Sequence, residues 1–272
     1  MKVLKHLLNF YINSSIHVAL AVYALTWITL LELGLKYDEV VLYFIFYASI
    51  TGYNFVKYFG VARFRHRALA SWLKLIQGLS LICFLLMCFY ARCLQFKTLI
   101  VIGFFAMLTF FYAIPFFKND KYTLRNVDGL KVYVIALVWA GATVFVPVIN
   151  EDYLLNTDVL LLGVQRFLYV LVLMIPFEIR DLKFDDLNLK TVPQKIGVKR
   201  TKVLGIIMLI VFFALEFFKD ELTSSNVMVL LLITIITGTL VVLSKKEQGK
   251  YYSSFWIESL PIIWFLLFRI FT

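Results

Sequence analysis

The chain has 272 residues, of which 62% are apolar, 17% aromatic and only 16% charged, with a formal net charge of +10 and a mean hydropathy of +0.87. An ordinary soluble domain is about a quarter charged, and a domain of this size must cover its outside with polar side chains. The composition therefore excludes a soluble globular enzyme, a disordered chain and a disulfide scaffold, and leaves a polytopic membrane protein.

A bilayer core of about 30 Å takes about 20 apolar residues per helical span. Long unbroken apolar runs predict helices near 14–33, 40–58, 68–91, 97–117, 130–149, 157–178, 202–219, 226–243 and 254–271. The short alternating segments of a β-barrel are not what these runs resemble. Polar breakers mark the joints: Lys118-Asn119-Asp120, Asn150-Glu151-Asp152, Lys219-Asp220-Glu221 and Lys245-Lys246-Glu247-Gln248-Gly249. The first run, from Ile16 to Leu33 behind Lys2 and Lys5, is too long for a signal-peptide core and reads as a retained span. Cys83, Cys88 and Cys93 fit neither a CxxC pair nor a metal spacing and read as small apolar residues.

Lys and Arg then orient the spans, because positive loops stay cytoplasmic. With the N-terminus inside and the C-terminus outside, 21 of the 27 basic residues fall on the cytoplasmic side. Lys36, Arg92, Lys97, Arg166, Lys219 and Arg269 are the remainder. Asp38, Glu39, Glu151, Asp152, Asp158, Asp220 and Glu221 fall outside. The expectation is a single integral-membrane domain over 1–272, all-α, with about nine transmembrane helices. Its positive charge is a topology signal and a match to anionic lipid headgroups, not a nucleic-acid site.

The most polar stretch follows the sixth predicted span and runs from Glu178 through Arg180, Asp181, Asp185, Asp186, Lys190, Thr191 and Pro193 to Gly197. If the helix continues through it, Glu178, Asp181 and Asp185 at i, i+3 and i+7 share one face. Carboxylates at a membrane helix end can hold Mg²⁺ together with substrate phosphates. The plainer reading is a solvated loop of mixed charge in which Arg180 and Lys183 are the partners.

Arg180-Asp181-xxx-Asp185-xxxx-Lys190-Thr191-x-Pro193-xxx-Gly197 resembles the second aspartate-rich motif of the UbiA superfamily of intramembrane prenyltransferases. Tyr112-Ala-Ile-Pro115, the basic residues Lys118, Lys121 and Arg125, and Gly129-Leu-Lys131 look like that family's connection between the fourth and fifth spans. The resemblance implies a horseshoe of nine helices around a lipid-open cavity with its polar end at the cytoplasmic face. It also implies transfer of a prenyl group from a Mg²⁺-bound isoprenoid diphosphate to a membrane-associated acceptor, commonly an aromatic or quinone-precursor ring. By position, Asp181 and Asp185 would be metal ligands and catalytic, with Glu178 a helper from geometry. Asn54, Arg63, Tyr112, Lys121, Arg125 and Lys190 would contact the substrate.

The first motif departs from the family. Where Asn-Asp-x-x-Asp is expected, this chain has Asn54-Phe55-Val56-Lys57-Tyr58. Either a single Mg²⁺ is joined by Lys57 and Arg63 as fixed cations, Lys57 then being catalytic, or the chain is an inactive relative that binds a prenyl or lipid phosphate. A transporter is the third class, using Arg166 and Glu258, two ionisable groups inside predicted spans that are candidates to pair with each other. With 5 Pro and no evident repeat, the sequence favours it least. His66 reads as a loop histidine, and His17, with Asn13 and Ser14, as a polar group facing neighbouring helices.

Overall fold

Hydrocarbon leaves no water to satisfy backbone N–H and C=O groups, so a spanning chain must close its hydrogen bonds within helices. The computed structural model describes residues 2–64, 71–113, 129–184, 190–220 and 222–271, with the side chains of 2, 59–64 and 71 outside that description. Helix α1 is Lys2–Asn13, α2 Ile16–Glu32, α3 Glu39–Phe64, α4 Ser71–Ala91 and α5 Phe96–Ala113. Then follow α6 Leu130–Asn150, α7 Thr157–Asp181, the short α8 Val192–Ile196, α9 Val198–Phe218, α10 Ser224–Leu243 and α11 Tyr252–Phe271. Among the described residues, 8 of these helices are long and apolar enough to cross a bilayer, and α1 with α2 makes a ninth if that bent pair is one span. Every predicted span overlaps one of these helices, and the protein is an all-α integral membrane protein.

The first span differs from its prediction. The polar run Asn13-Ser14-Ser15 breaks it, Ser15 takes a left-handed φ of 64°, and α1 leaves α2 at 56°. Lys5, His6 and Asn9 alternate along α1 with apolar residues, and Val3, Leu4 and Leu7 are exposed. That pattern suits a helix lying along the membrane surface.

In space the neighbours run α5, α6, α7, α9, α10, α11, α2, α3, α4, an almost closed ring whose two ends are joined in sequence by the turn between α4 and α5. Helix α2 also packs across the ring onto the second half of α6, closing the end at which Asp38 and Asn150 lie. Two helices carry a π-type turn, α6 at Gly141–Phe145 and α11 at Tyr252–Ile257. Such turns re-aim the residues that follow.

The closed end is held by polar contacts. Asn150 Nδ2 donates to Asp38 Oδ2 at 2.8 Å and Gln95 Nε2 donates to Asp152 Oδ2 at 2.9 Å, while Lys97 pairs with Asp152. Beneath them lies a buried charge cluster. Lys219 Nζ is 2.6 Å from Glu216 and 3.6 Å from Glu32. Burial works against the Lys219 ammonium, but Glu32 and Glu216 outweigh it and lift its pKa above the ordinary lysine value. Arg166, fully buried, donates from Nη2 to Thr29 Oγ1 at 3.2 Å, feels the charge of Glu32, and lies 4.9 Å over the Trp264 ring. Trp264 in turn packs edge-on against Tyr169 and Phe212. Arg166 therefore belongs to this cluster; its partner in charge is Glu32, and Glu258 lies elsewhere.

Two tests follow from this packing. Gly141 has the Phe105 ring 2.0 Å from where a Cβ would stand, so Gly141→Val should cost about 1–3 kcal/mol of stability, and adding Phe105→Ala should recover part of it, read by thermal unfolding in detergent. Arg166→Met strands a buried Glu32 with one cation fewer and should cost about 3–5 kcal/mol, whereas Arg166→Met combined with Glu32→Gln should cost less.

Candidate active site

At the other end of the ring the segments expected to carry chemistry meet. Helix α7 ends at Asp181 with a turn over Leu182–Phe184. The face of α7 therefore holds Glu178 and Asp181, and Asp185 lies outside the described residues. Glu178 is buried. Asp181 accepts from Arg180 Nε at 2.8 Å and has Lys131 Nζ at 4.0 Å. Lys131 opens α6 behind Gly129, whose φ of +69° places the turn so that an added Cβ would stand 3.4 Å from the Lys190 carbonyl oxygen. The two stretches far apart in sequence that looked alike in function are thus in direct contact.

The second half of that motif has a structural reason of its own. The Thr191 N–H donates to Gln194 Oε1 at 2.9 Å, Pro193 sits in the first turn of α8, and Gly197 ends that helix at φ 82°. Lys190 precedes it with a left-handed φ of 43°. The loop before α11 is tied to the same place, since Gln248 Nε2 donates to the Pro176 carbonyl at 2.7 Å.

The altered first motif is a clasp on the break between α1 and α2. Ser15 Oγ donates to Asn54 Oδ1 at 2.8 Å, and Asn54 Nδ2 donates to the Ser14 carbonyl at 3.0 Å and to Ser80 Oγ at 2.8 Å. Lys57 Nζ donates to Ser15 Oγ at 3.0 Å, and the Tyr58 hydroxyl donates to the Asn13 carbonyl at 2.9 Å. Of the residues expected to contact substrate, Asn54 is buried and its amide is engaged on both atoms. Lys57 uses one N–H on Ser15, keeps exposed surface and lies in electrostatic range of Glu258. We read it as standing at the edge of a concavity at this end of the ring.

Tyr53 and Glu258 share that property, each with open surface inside a dense surround. The Tyr53 hydroxyl accepts from Trp139 Nε1 at 2.6 Å, leaving its own proton directed elsewhere, and Tyr112 lies within electrostatic range of it. Lys57 and Arg180 act on the charge of Glu258, which also reaches Tyr11 and Tyr53. The elements that bring side chains within electrostatic range of Glu258 on α11 are α1, α3 and α7, with Lys57 and Arg180 as the cations, and Lys131 joins them through Asp181. Arg63, Lys121 and Arg125 have side chains outside the described residues.

No group of three or more His, Cys, Asp or Glu side chains stands close enough to hold a metal among the described residues. Mg²⁺ commonly takes one or two carboxylates and completes its shell with phosphates and water. Asp181, at the edge of the concavity and part exposed, fits that use for one ion arriving with a phosphate ligand, and not a prebuilt protein cage.

His17 faces a neighbouring helix as its sequence setting suggests: Phe255 and Ser259 both hold it, through the Phe255 carbonyl at 3.0 Å and Ser259 Oγ at 3.2 Å. Glu258, singled out in the sequence as an intramembrane acid and a candidate partner of Arg166, stands instead in range of Lys57 and Arg180.

Fold and site together define an all-α integral membrane protein in which Lys57, Lys131, Arg180, Asp181 and Glu258 gather at one end of the helix ring. Comparison with known protein families and with curated protein sequences gives no match. Among solved structures, that of digeranylgeranylglyceryl phosphate synthase, a protein described in membranes, is similar over 100% of this chain and 99% of that one, with a TM-score of 0.59 and 16% identity. The likeness is one of fold.

Asn54→Ala removes three hydrogen bonds that hold a helix break in an apolar setting, and each polar group left without a partner costs about 1–3 kcal/mol. The variant should unfold at a lower temperature than wild type and expose the Ser14–Ser15 peptide to proteolysis, while Ser80→Ala, which removes one of the three, should lose less.

Proposed function

We propose that the chain is a UbiA-like prenyltransferase, moving a prenyl group from an isoprenoid diphosphate to a membrane-associated acceptor, in the cytoplasmic membrane with the basic end inside. The observation that carries this reading is the meeting of Lys131 on α6 with Asp181 on α7, 4.0 Å apart, beside Arg180 of the same helix, with Lys57 of α3 in electrostatic range of the acid, Glu258, that Arg180 also acts on. The fold neighbour's name supports it, since its product is a glyceryl phosphate bearing two geranylgeranyl chains.

The reaction requires the bond between prenyl carbon and diphosphate oxygen to break with its electrons leaving on the diphosphate. Stabilising that growing negative charge is the main task, and fixed donors in a site sheltered from water do it best. Lys57 supplies a point charge held in place by Ser15, and Arg180 a planar fork able to grip two phosphate oxygens. Lys131 balances Asp181 before the ligand arrives. A single Mg²⁺ would take Asp181 and Asp185 from this chain with Glu178 behind them, and when bound would neutralise further phosphate charge. Tyr53, Tyr112 and Trp139 offer ring faces to the allylic cation as it forms, and the apolar remainder of the ring accommodates the chain.

One observation favours a second reading, an inactive relative that binds a prenyl phosphate. Asn54, Lys57 and Tyr58 all serve the helix break, and the described residues hold no ready-made metal cluster. Both readings expect binding of geranylgeranyl S-thiolodiphosphate, a donor that resists cleavage, to detergent-purified protein. Lys57→Ala and Asp181→Asn should each weaken it roughly 10- to 100-fold, the loss of one charge-assisted contact, with Asp181→Asn also removing any Mg²⁺ enhancement. Absence of binding to wild type would sink both readings. Release of diphosphate from geranylgeranyl diphosphate in native membranes distinguishes the enzyme from the binder.

A further inference from the structure

The loop between α10 and α11 is built as a tie to the end of α7. Gln248 has both ends of its amide engaged: Nε2 donates to the Pro176 carbonyl at 2.7 Å and Oε1 accepts from Ser253 Oγ at 3.0 Å. Ser253 is buried in the first turn of α11, so one side chain joins α7 to α11. The loop is held again on either side of it. Glu247 lies 3.6 Å from Lys183 in the turn after α7, and Lys250 Nζ and the Tyr251 hydroxyl both donate to Asn9 Oδ1 on α1, at 2.8 and 2.9 Å.

Pro176 is where α7 needs such a tie. It stands inside the helix, lacks the N–H that would meet the Val172 carbonyl, and crowds that carbonyl with its ring. The ladder is therefore weakened just before the residues that carry charge. By the spacing of an α-helix, the Pro176 carbonyl is also the one that faces the Arg180 N–H. Gln248 thus donates to the carbonyl on which the last turn hangs. In that turn the Arg180 guanidinium lies 5.2 Å over the Phe177 ring, Nε donates to Asp181 Oδ1 at 2.8 Å, and Asp181 has Lys131 Nζ at 4.0 Å. A helix end beyond a proline is free to bend, and these contacts would move with it. The Glu247–Lys183 pair is exposed and contributes little, which leaves Gln248 as the contact that holds the bend.

We propose that Gln248 is a positioning residue: by holding the Pro176 carbonyl to α11 it fixes the last turn of α7, and through that turn the Arg180 guanidinium that grips the donor's phosphates. This rests on the prenyl-transfer reading above. Gln248 touches no substrate in this arrangement. What it must supply is a hydrogen-bond donor at one atom, which glutamine has at any pH and glutamate only when protonated.

The test reads binding of geranylgeranyl S-thiolodiphosphate to the detergent-purified full chain. Gln248→Ala should weaken it roughly 3- to 10-fold, the contribution of one hydrogen bond. Arg180→Ala should weaken it roughly 10- to 100-fold, the loss of a charge-assisted contact. The double variant should bind no more weakly than Arg180→Ala alone, because a residue that acts through Arg180 then has nothing left to position. Glu247→Ala, on the same loop, should bind as wild type does. Gln248→Glu should bind more weakly than wild type at about pH 8 and recover relative to wild type toward about pH 5, where its carboxyl gains a proton to donate. That variant carries the test if Gln248→Ala does not fold. If Gln248→Ala folds and binds as tightly as wild type, if the two single losses multiply in the double variant, or if Gln248→Glu matches wild type at every pH, the inference falls alone. If wild type binds no donor, the prenyl-transfer reading fails and takes the inference with it.

Discussion

The structure depends on one constraint: a backbone that breaks its helix inside an apolar setting must find partners for the groups it frees. The break at Ser14-Ser15 is where this chain meets that constraint, and its answer shapes the site. Asn54, Lys57, Tyr58 and Ser80 supply the hydrogen bonds, so the segment that in the resembling family would carry two aspartates here binds α3 to the start of the chain. Aspartates at those positions would bring negative charge to carbonyl oxygens that need donors. Phenylalanine and tyrosine at 55 and 58 are compatible with the clasp, and the ammonium of Lys57 is left at the edge of the concavity as a consequence.

The two ends of the ring differ in how they handle charge. The closed end buries Arg166, Lys219, Glu32 and Glu216 in a balanced set, where opposite charges neutralise one another although Nε and Nη1 of Arg166 make no hydrogen bond. The other end leaves its charges apart. Asp181 is satisfied by Arg180 and Lys131, but Lys57 and Glu258 stay beyond contact distance of each other. A satisfied network favours stability and rigidity, and a separated one favours binding. The same kinds of side chain thus serve two ends of one bundle because distance, not identity, decides whether they are available.

Much of this was legible in the sequence because hydrocarbon simplifies the code. Runs of about 20 apolar residues can hardly be anything but spans, so the helices fell close to their predicted limits. Gly129-Leu-Lys131 and Arg180-Asp181 were legible as a pair because each lies at a polar joint. The rest was not, for reasons of distance along the chain. Nothing local says that Arg166 will find Glu32 and not Glu258, since both are lone acids in apolar runs; depth and rotation decide, and both follow from packing. The helix break was announced by Asn13-Ser14-Ser15 but masked by the apolar content on either side. The end of α7 at Asp181 is marked by the turn through Phe184, and three-residue spacing alone could not reveal it.

The buried Arg166 has a consequence for how the protein comes into being. As the ribosome delivers the chain, α2 with Glu32 enters the membrane well before α7, and α9 with Glu216 and Lys219 follows only after it. Helix α7 in lipid with α2 alone would hold a guanidinium beside a single carboxylate, and Glu32 would in turn wait for its second cation. The pair is already neutral, and α9 adds a second neutral pair, Glu216 with Lys219, which gives Glu32 its second cation. The contacts of Glu32 are thus completed only when all three helices are in place, which couples the stability of the first span to Lys219, late in the chain.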